Sequence, residues 1–384
     1  MKKVFVFLIS FGIIFGALFS CSLQAYAYEK SFASDINVKC SILTDGTGKV
    51  VLYENNADEK RPVASIVKLM TICITLQEIE KGNLNYDEML TVSETASGMG
   101  GSQVFLDAGS QHTVESLLKS VIIASANDSS VVLAERIAGS VPSFVNRMNE
   151  TAKEIGMTNT NYVNVNGLPA PEQYSSARDT ALLMAHVAKY DKFREFSKIW
   201  MEDFVHPTGR TTQMANTNKL IRSYPAVDCG KTGSTVEAGY CFTTRATQGN
   251  LSLIAVVLKA ENSKERFAYT RQLLDFGFAN FDATPVVTDS DLANHRINVA
   301  YTNVNLPIEL DENYTQVCAK GEKVESELKF NLPERVRSAR KGDKLGNVEI
   351  WQNGELVKTI DVKAKETVKG ASYVDNLKNL FAKF

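Results

Sequence analysis

Hydrophobic and polar positions change their period several times along the chain, and each change marks an element. From residue 36 to 43 apolar and polar residues alternate, Asp45-Gly46 breaks the run, and Lys49-Val50-Val51-Leu52-Tyr53 resumes it, which predicts a β-hairpin. Pro62 then precedes a stretch over 65–81 in which Ile66, Leu69, Met70, Cys73, Leu76 and Ile79 recur at helical spacing, closed by Gly82-Asn83. Ser65 falls in the first turn of that helix. Residues 113–198 keep a mostly helical period, broken by loops at 139–143 and 164–174. Strand patterns return at 227–232, 239–244 and 251–259, and a helical one follows over 263–278. Strands, then helices, then strands predict an α+β domain with an antiparallel sheet and an inserted helical lobe.

Past Pro285 the texture becomes short β-rich runs at 297–301, 323–328 and 348–351, the last ending in the hairpin turn Asn353-Gly354. A small all-β domain is expected over 285–365. The final stretch, 366–384, puts Tyr373, Val374, Leu377, Leu380, Phe381 and Phe384 on one helical face beside Lys369, Lys378 and Lys383. Such a helix either lies in the outer face of a membrane or docks on its own domain or a partner. At the other end, Lys2 and Lys3, an apolar run over 4–19 and Ala25-Tyr26-Ala27 read as an export signal over 1–27, with the mature chain starting at Tyr28. Cys21 permits a lipoprotein reading, but bulky Phe19 fits it poorly, and ordinary cleavage is preferred. No later stretch approaches the roughly 20 apolar residues of a spanning helix. The reaction is therefore expected outside the cytoplasm.

Composition narrows the function. The chain has 384 residues, enough for two or three domains, and a net charge of −2 with no basic block, so nucleic acid is not an expected partner. The four histidines are scattered, and neither C-x-x-C nor H-E-x-x-H occurs, so no metal site is expected. Cys229 and Cys241 are spaced to face each other across a hairpin as a disulfide; buried free thiols are the preferred reading.

Candidate chemistry sits in three short motifs. S-x-x-K occurs at Ser65-Ile66-Val67-Lys68, Ser116-Leu117-Leu118-Lys119 and Ser326-Glu327-Leu328-Lys329. Ser65 is the one placed to open a predicted helix and to be followed by Ser125-Ala126-Asn127 and then by Lys231-Thr232-Gly233. On a helix, positions i and i+3 share a face, so Ser65 and Lys68 can meet as nucleophile and base. A lysine acts as base only when neutral, and lowering its pKa from about 10.4 to 7 or 8 costs roughly 4 kcal/mol, which burial or a second cation such as Lys231 must supply. Lys231-Thr232-Gly233 is expected on an edge strand, where Gly233 admits a substrate backbone and Thr232 with Lys231 can bind a carboxylate. Taken alone, these motifs would read as a helix cap, a turn and a plain exposed strand.

In this order the motifs resemble the low-molecular-weight penicillin-binding proteins that act as D-alanyl-D-alanine carboxypeptidases. The likeness covers about 35–280, and takes in Asn164-Val165-Asn166-Gly167-Leu168, Tyr174-Ser175-Ser176-Ala177-Arg178-Asp179 and Gly239-Tyr240-Cys241. The resemblance implies a β-lactamase/transpeptidase-like catalytic domain over 28–282, peptidoglycan stem peptides as substrate, acylation by β-lactam antibiotics, and no metal or organic cofactor. It also implies that Ser125 relays a proton to the leaving amine and that Asn127 holds Lys68 and the substrate amide. Backbone N–H groups of Ser65 and Ser234 would form an oxyanion hole, and Arg266 would lie near the substrate's terminal carboxylate. A surface ion pair is the other reading of Arg266. The chain departs from the family pattern at Ser234, at Ile66 and across 164–168, positions that shape the pocket. Three rivals share features with this reading. A β-lactamase would need a deacylating glutamate, and Glu172 lacks the Glu-x-x-Leu-Asn setting; an endopeptidase of wall cross-links shares every motif; a silent wall-binding protein would be expected to lose Ser65 or Lys68.

Overall fold

The computed structural model describes residues 32–370 apart from 301 and 303. The expected export segment and the amphipathic face beyond 370 lie outside the described residues. The first hairpin forms as read: β1 (Val38–Asp45) and β2 (Val51–Asn55) pair antiparallel. The Asp45 carboxylate closes their turn by accepting from Thr47 Oγ1 and from the backbone N–H of Lys49 and Val50. Three later strands complete the sheet: β3 (Val227–Thr235), β4 (Gly239–Gln248) and β5 (Leu251–Ala260). The order is β2-β1-β5-β4-β3, antiparallel throughout, which leaves β3 at an edge. Strands 227–232, 239–244 and 251–259 were therefore read short at their C-terminal ends.

Between β2 and β3 lies the helical lobe. It comprises α1 (Lys68–Glu80), α2 (Val114–Ile123), α3 (Asn127–Ala138), α4 (Val141–Ile155), α5 (Ala177–Val187) and α6 (Asp191–Ser197). Gly139 ends α3 in the left-handed region at φ 76°, which a residue without Cβ adopts freely, and Ser140 caps α4 by accepting from Ser143 N. The 139–143 break is therefore only two residues long. Sequence periodicity suggests a one-sided α1, but Leu69, Met70, Ile72, Cys73, Ile74 and Leu76 are all buried, because the other lobe helices enclose it. On the far face of the sheet packs α7 (Ser263–Asn280), capped by Asn262 accepting from Glu265 N.

Pro285, read as the start of the second domain, falls inside a strand. β6 (Phe281–Val287) pairs with β7 (Tyr314–Ala319), and the ladder shifts between Pro285 and Val287, where the missing N–H is tolerated. Phe281 belongs to the core beneath α7, while Val287 joins a separate core with Val348, Ile350, Ile360 and Val362. That second core is built on β8 (Glu327–Asn331), β9 (Lys344–Gln352) and β10 (Glu355–Ala364), with Asn353 and Gly354 both at positive φ in the β9–β10 turn. The strand expected at 323–328 thus begins at Glu327. A hairpin of Met201–Val205 and Thr211–Ala215, absent from the sequence reading, packs on the lobe.

The two other S-x-x-K matches are structural. Ser116 also lies in the first turn of a helix, α2, but its hydroxyl donates to Thr113 O, and Lys119 pairs with Glu115 and Glu202. Ser326 accepts from Gln352 at the edge of the β domain. Cys229 and Cys241 do not bridge: in the ladder Cys229 faces Arg245 and Cys241 faces Gly233, and all five described cysteines are free and buried. Burial pushes the Cys241 thiol up to about 11.

Candidate active site

The nucleophile candidate stands where β3's edge meets the lobe. Ser65 lies in a single 3-10 turn, Ala64–Val67, and Lys68 is the first residue of α1. The preceding Ala64 is held at φ 49°, a strained conformation for a residue with a Cβ. Gly167, at φ 83°, presses against it so closely that a Cβ there would sit 2.0 Å from Ala64 O. Lys68 is fully buried, and its Nζ donates to Ser65 Oγ at 2.9 Å and to Asn166 O at 2.5 Å. Thr71, one turn along α1, donates to Val165 O at 2.7 Å and fastens the same loop.

Ser125 is the corner between α2 and α3, at φ 62°, and its hydroxyl accepts from Lys231 Nζ at 2.7 Å. Asn127 opens α3. Its amide donates to Gly100 O at 2.6 Å, and Lys68 is held by the Asn166 carbonyl instead. The hold on Lys68 expected of Asn127 is thus made by a backbone atom 98 residues away from Lys68.

Lys231, Thr232 and Gly233 lie on edge strand β3 as expected, but they are buried rather than exposed. A Cβ on Gly233 would lie 2.9 Å from Ser65 N and 2.6 Å from Val63 O, so the nucleophile's backbone N–H lies directly beside β3. Ser234, the next residue, is exposed and lines a cleft of about 460 Å³ with Lys39, Tyr240 and Lys259. Arg266, on α7, is buried too. It donates to Gly233 O and Cys241 O, both at 3.2 Å, and lies over the Phe267 and Tyr240 rings, while its Nε has no partner among the described residues. The surface ion pair is excluded.

Three buried cations therefore lie in the site, Lys68 on Ser65, Lys231 on Ser125 and Arg266 on the carbonyls of Gly233 and Cys241. Their hydrogen-bond partners are hydroxyls and carbonyls, and among the described residues none is a carboxylate. Burial, and then the Lys231 charge, hold Lys68 well below its ordinary value, against the opposing charge of Asp128. Burial and the nearby Arg266 bring Lys231 down to about 7. Sequence reasoning missed Asp128, whose one signal was its position directly after Ser125-Ala126-Asn127. It also missed the role of the Asn166 carbonyl, because backbone atoms leave no trace in a motif.

An amine held below its ordinary proton affinity on a serine hydroxyl, beside cations that no carboxylate hydrogen-bonds, can take the serine's proton and receive an anionic group. The comparisons agree with that chemistry. A family model described as D-alanyl-D-alanine carboxypeptidase matches residues 27–262, and one described as penicillin-binding protein 5, C-terminal domain, matches 281–370. The D-alanyl-D-alanine carboxypeptidase DacF of Bacillus subtilis is 36% identical over 338 residues, 86% of each chain. Penicillin-binding protein 5 from Haemophilus influenzae superposes with a TM-score of 0.69 at 29% identity, over 88% of this chain and all of its own. Penicillin-binding protein D2 from Listeria monocytogenes, solved in its ampicillin-bound form, covers 64% of this chain and 99% of its own, with a TM-score of 0.58 at 28% identity. With one family model spanning the sheet and the lobe, a second spanning the β domain, and a relative 36% identical over most of both chains, this chain belongs to the D-alanyl-D-alanine carboxypeptidase family of penicillin-binding proteins.

Proposed function

We propose that the chain is a serine D,D-carboxypeptidase that removes the terminal D-alanine from peptidoglycan stem peptides. The observation that carries this reading is the 2.9 Å contact between Ser65 Oγ and the buried Lys68 amine. Neutral Lys68 takes the Ser65 proton as Oγ attacks the carbonyl of the penultimate D-alanine. Negative charge develops on that carbonyl oxygen, and the backbone N–H groups of Ser65 and Ser234 receive it; each such donor is typically worth about 3 to 4 kcal/mol in the transition state. Ser125, bonded to Lys231, relays that proton from Lys68 to the departing D-alanine amine, which leaves Lys68 neutral and Ser125 protonated again. Asn127 orients the substrate amide, while Lys231, Thr232 and Arg266 meet the terminal carboxylate. Water, activated by Lys68, then hydrolyses the Ser65 ester and regenerates the enzyme. A β-lactam offers a strained amide to the same serine and stops at the ester.

The export pattern in residues 1–27 and the location of peptidoglycan support action outside the cytoplasm. The sequence pattern of apolar and basic residues over 366–384 supports contact of the tail with the outer face of the cytoplasmic membrane; among the described residues no helix is long and apolar enough to cross a membrane. The test is release of free D-alanine from a peptide ending in Lys-D-Ala-D-Ala. Wild type should release one D-alanine per peptide and Ser65→Ala none; release by the variant would refute the assignment.

A further inference from the structure

Asn127 does not stand alone at the head of α3. The next residue, Asp128, is fully buried, and its carboxylate accepts from the backbone N–H of Val104 at 3.1 Å, Leu106 at 3.2 Å and Ser129 at 2.9 Å. Val104 and Leu106 belong to a segment, 100–106, that runs over the Ser125-Asn127 corner. That segment returns two bonds: Ser102 O accepts from Asn127 N at 2.7 Å, and Gly100 O accepts from Asn127 Nδ2 at 2.6 Å. Gly101 is so close that a Cβ would sit 2.8 Å from Asn127 Nδ2. From the other side the Met201–Val205 hairpin grips the segment, with Thr212 Oγ1 donating to Val104 O at 3.1 Å and Arg210 donating to Phe105 O at 2.5 Å. A buried carboxylate is costly to desolvate, and backbone amides offset that cost here while tying the segment down.

We propose, resting on the acyl-transfer reading above, that Asp128 is a positioning residue: it ties segment 100–106 so that Gly100 O aims the Asn127 amide at the substrate, and its negative charge opposes that of Lys231 at Lys68. The groups that face Lys68 are Lys231 from β3, Asp128 from α3, and the uncharged Ser65 hydroxyl and Asn166 carbonyl; Arg266 from α7 acts on Lys231. Asp128 also acts on His206 of the hairpin. Because Asp128 favours the charged form of Lys68, removing its charge lowers the pH at which Lys68 becomes protonated. The acid limb of activity then moves to lower pH. In Asp128→Asn one oxygen can still accept from Val104 and Leu106, but the NH2 group then faces the Ser129 N–H at 2.9 Å, so the side chain is pushed off its seat and its hold on the segment weakens as well.

The test measures the second-order rate of Ser65 acylation by benzylpenicillin across pH, on the full chain and its variants. Asp128→Asn should lose about 100-fold at neutral pH, the scale of an ångström misplacement, and its acid limb should shift to lower pH. Thr212→Val loosens the same segment without changing charge, so it should slow acylation with the acid limb unmoved. A folded Asp128→Asn with the wild-type rate, or one that is slower but keeps the wild-type limb, overturns the proposal. Should Asp128→Asn fail to fold, Thr212→Val decides: the wild-type rate in that variant overturns it. A wild type that is not acylated at all would instead contradict the acyl-transfer reading.

Discussion

At the scale of the residue, the site is organised by buried positive charge with little negative charge to balance it. Lys68 and Lys231 are both buried, and each depresses its proton affinity through burial first and a neighbouring cation second. The two differ in their partners, because Lys68 bonds Ser65 and Lys231 bonds Ser125. This division has a pH consequence. Burial and Arg266 bring Lys231 down to about 7, so the hold on a terminal carboxylate proposed for it weakens as pH rises above that point. The KM for a peptide with a free terminal carboxylate should rise over about pH 7 to 9, while the same peptide ending in an amide shows no such rise. Steady-state kinetics on the two peptides checks this, and a KM for the free acid that stays flat across the range would contradict the role given to Lys231.

At the scale of the element, close backbone approach holds the nucleophile turn in place. Gly233 of β3 and Gly167 of the 164–168 loop both press on the backbone around Ser65, where any Cβ would collide with backbone atoms. Gly233→Ala should cost about 1 to 3 kcal/mol of stability through overpacking and slow acylation by about 100-fold through displacement of Ser65. A melting curve and an acylation rate measure the two losses separately, and wild-type values for both would show that the contact is not needed. Much of this scale was legible in the sequence. Period-2 and period-3.6 runs located the sheet and the lobe, and the order of three motifs singled out Ser65 from three S-x-x-K matches. The Met201–Val205 hairpin was not legible, because its strands carry mostly polar or exposed side chains and bury only Phe204 and Met214 deeply. Asn166 and Gly100 were missed for another reason: they act through carbonyl oxygens brought in from distant parts of the chain, and side-chain identity does not record where a carbonyl points.

At the scale of the molecule, two cores meet along one strand. Phe281 is buried with the catalytic sheet and Val287, six residues on, is buried with the β domain, so β6 links the two. The catalytic unit nevertheless has its own core, and the Listeria protein, matched over almost its whole length, spans a share of this chain comparable with that unit alone. A mature chain ending at residue 287 keeps Phe281 in place and should fold, with acylation by benzylpenicillin within about 10-fold of the full chain. Loss of folding would mean that the β domain completes the catalytic core. The central claim is that Ser65, freed of its proton by Lys68, forms the acyl-enzyme. It is tested most directly by intact-protein and peptide mass spectrometry after brief exposure to benzylpenicillin. The account predicts one penicilloyl group, on the peptide containing Ser65, in the wild type and none in Ser65→Ala; a penicilloyl group elsewhere, or an equally labelled variant, would contradict it.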